Sequence, residues 1–203
     1  MAKRGVIGIL VVGLILVGIG VGGILFAFSG KIMSPFGFNS GNTVLSLNAT
    51  EVRNLVLPPA TAVKIDKYAN TIEFYGSNIV IPVVASPENG SMYSFGVYGL
   101  VNPTIIVRKD AQVRVQLINL DDDMYHGIVV TSGAPPYFYM GTMMFDRPAF
   151  SGSYIPPLAE EKEGKFPSSS MTFATSISGT FYYICQVMGH ASKGMYGKFI
   201  VLS

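Results

Sequence analysis

Tryptophan is absent from the 203 residues, there is one cysteine, Cys185, and there are only two histidines, His126 and His190. A single cysteine forbids an intramolecular disulfide. Two imidazoles and one thiol are too few for a multicopper oxidase, a multi-zinc site or a two-copper, two-cysteine centre. Charge is scarce as well: 13% of the residues are charged, about half the usual share. The net charge is +2, and beyond Lys3 and Arg4 the basic and acidic residues balance at 12 each. No Lys/Arg cluster is available to meet phosphates, which excludes a nucleic-acid partner. With 49% hydrophobic residues the chain is too apolar to remain disordered. There is no Gly-X-Y period and no charged heptad, so collagen and coiled coil are excluded.

Charge is missing most completely from Val6 to Phe28, which also lacks proline. As a helix this run spans about 34 Å, enough to cross a hydrocarbon core with some tilt. It is long for a cleaved signal, and Ala27-Phe28-Ser29 only weakly resembles a cleavage site. The reading is one N-terminal transmembrane helix over 6–28, with residues 1–5 in the cytoplasm and the rest of the chain outside the cell membrane. Lys3 and Arg4 set that direction. Gly18-x-Gly20-x-x-Gly23 matches a dinucleotide fingerprint by letter, but it lies inside an apolar span with no βαβ unit and is rejected. Gly18 and Gly22 form a GxxxG pair; a lone, small-residue-rich anchor is the simpler reading.

Residues 29–50 are rich in Gly, Ser and Asn and read as a flexible linker. From there to residue 203 extends one domain. Short apolar runs without helical period predict strands at 71–75, 79–84, 92–98, 104–107, 113–119, 127–131, 171–176, 180–184 and 197–202. The first two, joined by Gly76-Ser77-Asn78, read as a hairpin. Many short strands of this kind argue an all-β sandwich. Residues 132–170, with six prolines, form a long excursion between strands. Two glycosylation sequons, Asn48-Ala-Thr and Asn89-Gly-Ser, are present.

The informative stretch is Cys185-x4-His190-x4-Met195, a loop of about ten residues between two strands, with glycines at 189, 194 and 197. Such a loop can curl a thiolate, an imidazole and a thioether toward one point. With a second imidazole, which must be His126, these make the His2Cys set with a weak axial Met that is diagnostic of blue copper. Each residue alone is ordinarily a packing residue. It is the fall of both histidines and the only cysteine into one ligand pattern that points to a metal. Met188 competes for the axial role, but Met195 at the far end of the loop is better placed to close the site.

The stretch from about Val63 to Leu202 resembles the rusticyanin family of blue copper proteins. The resemblance is carried by Val101-Asn-Pro-Thr-Ile, Val113-Arg-Val-Gln-Leu-Ile-Asn, Gly133-Ala-Pro-Pro-Tyr and Thr180 to Lys198, in that order and spacing. Sulfocyanins, membrane-anchored archaeal relatives, share the loop pattern and an N-terminal anchor. The resemblance implies a cupredoxin Greek-key β-sandwich, one type 1 copper held by His126, Cys185, His190 and Met195, and single-electron transfer without catalysis. It also implies a respiratory-chain role with a membrane-bound terminal oxidase or cytochrome as partner, and a working environment at low pH. Two positions depart from the family: Gly127 stands where rusticyanins carry Ser, and Met188 where they carry Pro.

Two other classes fit the residues less well. A Cys185 nucleophile would need an orienting acid and an oxyanion hole, to which the sequence does not point. A copper-delivery protein would present several soft ligands on mobile segments. An electron carrier needs one short path to its surface. This predicts the His190 edge as the exit, with an uncharged docking patch of Met188, Gly189, Ala191 and Gly194 and a collar from Met188, Tyr137 and Phe138.

Overall fold

The computed structural model describes residues 26–28, 31–33, 43–59, 62–139 and 147–203. The chain divides into two compact units, Met1–Asn39 and Ser40–Ser203. In the first unit β1 (Phe26–Phe28) pairs antiparallel with β2 (Lys31–Met33). Residues 6–25 of the expected transmembrane helix lie outside the described residues; its last three are extended instead. Among the described residues no helix is long and apolar enough to cross a membrane.

The second unit is a two-sheet sandwich. Its strands are β3 (Leu45–Leu47), β4 (Val63–Asp66), β5 (Thr71–Phe74), β6 (Asn78–Ala85), β7 (Phe95–Val97), β8 (Leu100–Val101), β9 (Thr104–Arg108), β10 (Gln112–Asn119), β11 (His126–Thr131), β12 (Tyr154–Leu158), β13 (Phe166–Ala174), β14 (Gly179–Ile184) and β15 (Tyr196–Leu202). One sheet runs β3-β13-β10-β6-β7-β8, the other β12-β11-β14-β15-β9-β5-β4. Most neighbours are antiparallel; β10 with β6, β15 with β9 and β5 with β9 are parallel.

The strands form because apolar residues recur every second position, so each strand has one row to bury. Ile72 and Phe74 of β5, Ile79, Ile81 and Val83 of β6, Val113, Val115 and Leu117 of β10, and Phe199 and Val201 of β15 meet in one core. This arrangement corrects the expected hairpin between β5 and β6. The two strands belong to opposite sheets, and their apolar rows face each other across the core instead of lying side by side. Gly76, at φ +98°, takes the left-handed conformation in the connection. Pro82 is tolerated in β6 because β7 pairs only with Val84 and Ala85, leaving that stretch with one neighbour.

The end of the predicted linker is structured. Leu45–Leu47 adds an edge strand to β13, and α1 (Ala49–Leu55) follows. Asn48 caps that helix: its side chain accepts from the backbone of Thr50 and Glu51, while Glu51 accepts from the Asn48 backbone. Val52 packs with Val84 and Ile118 of the six-stranded sheet. The proline-rich excursion also carries a strand, β12, at a sheet edge. Between His126 and Ile128 the register against β12 slips by one residue, and the extra residue falls in the Pro156-Pro157 stretch.

Candidate metal centre

Three segments of the seven-stranded sheet and its loops converge at one end. β11 begins with His126, Cys185 directly follows the end of β14, and the next ten residues return to β15. That return is fixed by backbone bonds. Cys185 N–H donates to Met195 C=O at 3.0 Å, and Met195 N–H donates to His190 C=O at 3.1 Å. His190 N–H donates to Val187 C=O at 3.0 Å. Gly189 (φ +82°) and Gly194 (φ +102°) make the turns in left-handed conformations. Asn102 ties the loop to the other sheet: it donates to Gly194 C=O at 3.0 Å and accepts from Phe95 N–H at 2.8 Å.

The donor atoms meet. Cys185 Sγ lies 3.5 Å from His190 Nδ1 and 3.9 Å from His126 Nδ1, and the two Nδ1 atoms are 3.2 Å apart. Atoms that share one ion about 2 Å from each take this spacing. Cys185, His126 and Met195 are fully buried and His190 is 6% exposed. Met195 reaches the same end through its backbone bonds to Cys185 and His190, whereas Met188 is 48% exposed. One thiolate, two imidazoles and a thioether in a water-poor pocket fit copper by the softness of the set.

The two imidazoles differ in surroundings. His126 Nε2 is 3.0 Å from Asp121 Oδ2, both side chains being buried. Burial pushes the pKa of His126 down, and Asp121 opposes the shift. His190 is pushed down to about 4, by burial first and then by His126 and Lys193. Burial disfavours the Asp121 carboxylate, but hydrogen bonds from His126 and Asp123 outweigh it and hold the group at about 2.

The collar around His190 differs from expectation. Tyr93 meets the His190 ring edge-on at 5.1 Å, and Lys193 Nζ lies over the Tyr93 ring while bonding its hydroxyl at 2.8 Å. Tyr139 covers Gly189, where a Cβ would run into its ring. Tyr137 is buried beside Ala191, but Phe138 and Met188 stand exposed. Ala191, expected in the docking patch, is 1% exposed. Sequence reasoning missed Tyr93 because nothing local connects it to the loop. It missed Asp121 because that residue reads as one of three turn aspartates.

Gly127 also acquires a reason. A Cβ there would collide with the Gln186 carboxamide, which donates to Ile155 C=O at 2.7 Å. Gln186 thus fills the space that a side chain at 127 would take.

A two-sheet sandwich with Cys, two His and Met gathered at one end defines a blue copper protein of the cupredoxin class. No protein-family model matches the chain. Rusticyanin of Acidithiobacillus ferrooxidans is 33% identical over 132 residues, 65% of this chain and 81% of that protein. Rusticyanin of Acidithiobacillus ferridurans is 33% identical over 132 residues, 65% of this chain and 67% of that protein. Among solved structures, rusticyanin from Thiobacillus ferrooxidans superposes with a TM-score of 0.70 at 28% identity, covering 79% of this chain and 98% of that one. Reduced rusticyanin gives 0.69 at 27%, covering 78% and 99%. The chain belongs to the rusticyanin family. It is a blue copper electron-transfer protein for one type 1 copper, not an enzyme.

Proposed function

We propose that His126, Cys185, His190 and Met195 are the four copper ligands of a membrane-anchored electron carrier working outside the cell membrane. The observation that carries the reading is the convergence of Cys185 Sγ and both Nδ1 atoms within 3.9 Å. Bound copper supplies single-electron redox chemistry. The chain's own residues bind it, shut out water and offer a short route to the surface. A fully buried Cys185 suits a ligand and not a nucleophile that must reach a substrate. Copper delivery is the alternative function, but a loop closed by this many backbone bonds favours retention over release.

The anchor is residues 6–28, tethered through the linker and holding the domain near a membrane-bound terminal oxidase or cytochrome. Electrons leave through the His190 edge. It is the loop imidazole nearest the surface, flanked by exposed Met188 and half-buried Tyr93. A small patch of this kind, with Lys193 at its rim over Tyr93, suits a brief redox encounter. Work at low pH fits the scarcity of carboxylates, which limits self-repulsion on acidification.

Replacing Cys185 with Ser is expected to abolish the strong visible band of the oxidised, copper-loaded protein. A variant that keeps the band refutes the ligand set. Because Ala191 is buried, the docking patch is tested at Met188. Met188→Glu and Met188→Lys should keep the spectrum and slow transfer to the partner; wild-type rates in both would remove the His190 route. Protease treatment of intact cells should release the copper domain, and a mature N-terminus near Gly30 would show secretion instead.

A further inference from the structure

The sequence Leu120-Asp-Asp-Asp-Met-Tyr runs straight into His126. Two of its aspartates, Asp122 and Asp123, are exposed; Asp121 is buried. Its carboxylate is fixed on both oxygens. Oδ1 accepts from Asp123 N–H at 3.1 Å and from Met124 N–H at 3.0 Å, an Asx turn made by the chain itself. Oδ2 is thereby left facing His126 Nε2 at 3.0 Å. The turn is held in place by Asn119, which accepts from Asp121 N–H at 3.0 Å and donates to Met124 C=O at 2.9 Å and Ala159 C=O at 2.8 Å. Exposure of the two facing side chains is 0% and 4%, so water does not screen the pair as it would at the surface.

We propose that Asp121 is a positioning residue of the metal centre: it fixes His126 as the Nε2–H tautomer, aims Nδ1 into the site and, through its charge, favours the oxidised state of bound copper. The inference rests on the reading of His126 as a ligand. An ionised carboxylate only accepts, so the proton of the shared bond sits on Nε2. Nδ1 then carries the lone pair, and that is the atom turned toward Cys185 Sγ and His190 Nδ1. A carboxylate behind a metal-bound imidazole raises its donor strength and locks its orientation. A fixed negative charge on that path stabilises the more positive oxidation state over the less positive one.

The experiment separates orientation from charge. In metal-free protein, 15N NMR should find His126 protonated on Nε2. Asp121→Asn keeps an acceptor oxygen and removes the charge. It should keep the blue band and shift the copper equilibrium toward the reduced form by about threefold to tenfold, tenfold being 59 mV for one electron. Asp121→Ala removes both functions and should weaken Cu(II) binding by about 10–100-fold. Asp122→Asn removes an equal charge with no bond to His126 and should move the equilibrium less than Asp121→Asn does. A His126 protonated on Nδ1 in the unaltered protein, or an Asp121→Asn potential no different from that of Asp122→Asn, overturns the proposal. The underlying ligand reading fails separately: it falls if His126→Ala keeps the blue band at unchanged copper affinity, whatever Asp121 does.

Discussion

The strand side and the loop side of the site hold the same side chain in two different ways. His126 opens β11, is fully buried, and has a carboxylate behind it. His190 sits in a turn, keeps slight contact with solvent, and is faced by an aromatic edge with a lysine beyond. The strand side is built on an Asx turn and a sheet register. The loop side is built on backbone bonds among Cys185, His190 and Met195 and on side-chain ties from Asn102 to Gly194 and from Lys193 to Tyr93. Burial with charge suits holding a ligand still. Shallow cover by rings suits passing an electron while keeping water out. A carrier needs both, and they are placed on opposite sides of the same donor cluster.

The sharpest break of this comparison removes each imidazole in turn. His126→Gly and His190→Gly should both lose the blue band. Added imidazole should restore it to His190→Gly, whose gap opens near the surface. It should not restore it to His126→Gly, whose gap is closed and faces a buried carboxylate. Equal rescue in the two titrations would erase the proposed distinction.

A smaller effect tests the packing of the strand side. Gly127→Ser forces a side chain into the Gln186 carboxamide and should cost about 1–3 kcal/mol by denaturant unfolding. Adding Gln186→Ala to that variant should recover part of the loss, because the space is then vacated. A Gly127→Ser protein as stable as the original would show that Gln186 moves aside freely.

On the loop side, Asn102→Gly keeps the left-handed backbone (φ +46°) and deletes the side-chain hydrogen bonds to Gly194 and Phe95. It leaves the buried Phe95 N–H without its acceptor and should cost about 1–2 kcal/mol. Copper release should quicken, since the tether ends on Gly194, next to Met195. Unchanged release would place the loop's rigidity wholly in its own backbone bonds.

The smallest change is expected from Tyr93→Leu, which removes the ring edge from His190 and the seat of Lys193. Stability should fall by about 0.5–1 kcal/mol, with the visible band kept. Transfer kinetics should change although the metal site does not. A shifted band would mean that Tyr93 shapes the site and does not merely cover it.

Much of this was legible in the chain because the chemistry is local. Cys185, His190 and Met195 lie in one loop, and glycine spacing announced its turns. His126 followed by elimination, there being no other imidazole. Strand positions were readable from their alternating rows, and most fell within a few residues of the observed bounds. Which sheet a strand joins was not readable. β5 and β6 follow one another like a hairpin, yet β5 lies between β4 and β9 in one sheet and β6 between β10 and β7 in the other. β3, inside the stretch read as linker, is a strand only because β13 offers it an edge.

The sequence by itself determined the candidate donor set, the β class and the shortage of charge, because residue type and short-range period carry those. Only the tertiary structure decided what stands behind each donor. Asp121 is one of three adjacent aspartates until the Asx turn buries it against His126. Tyr93 is distant in the chain until the sandwich lays it on His190, and Ala191 reads as surface until Tyr137 covers it. Environment is set by contacts between segments far apart in the chain, and short-range period carries no record of them.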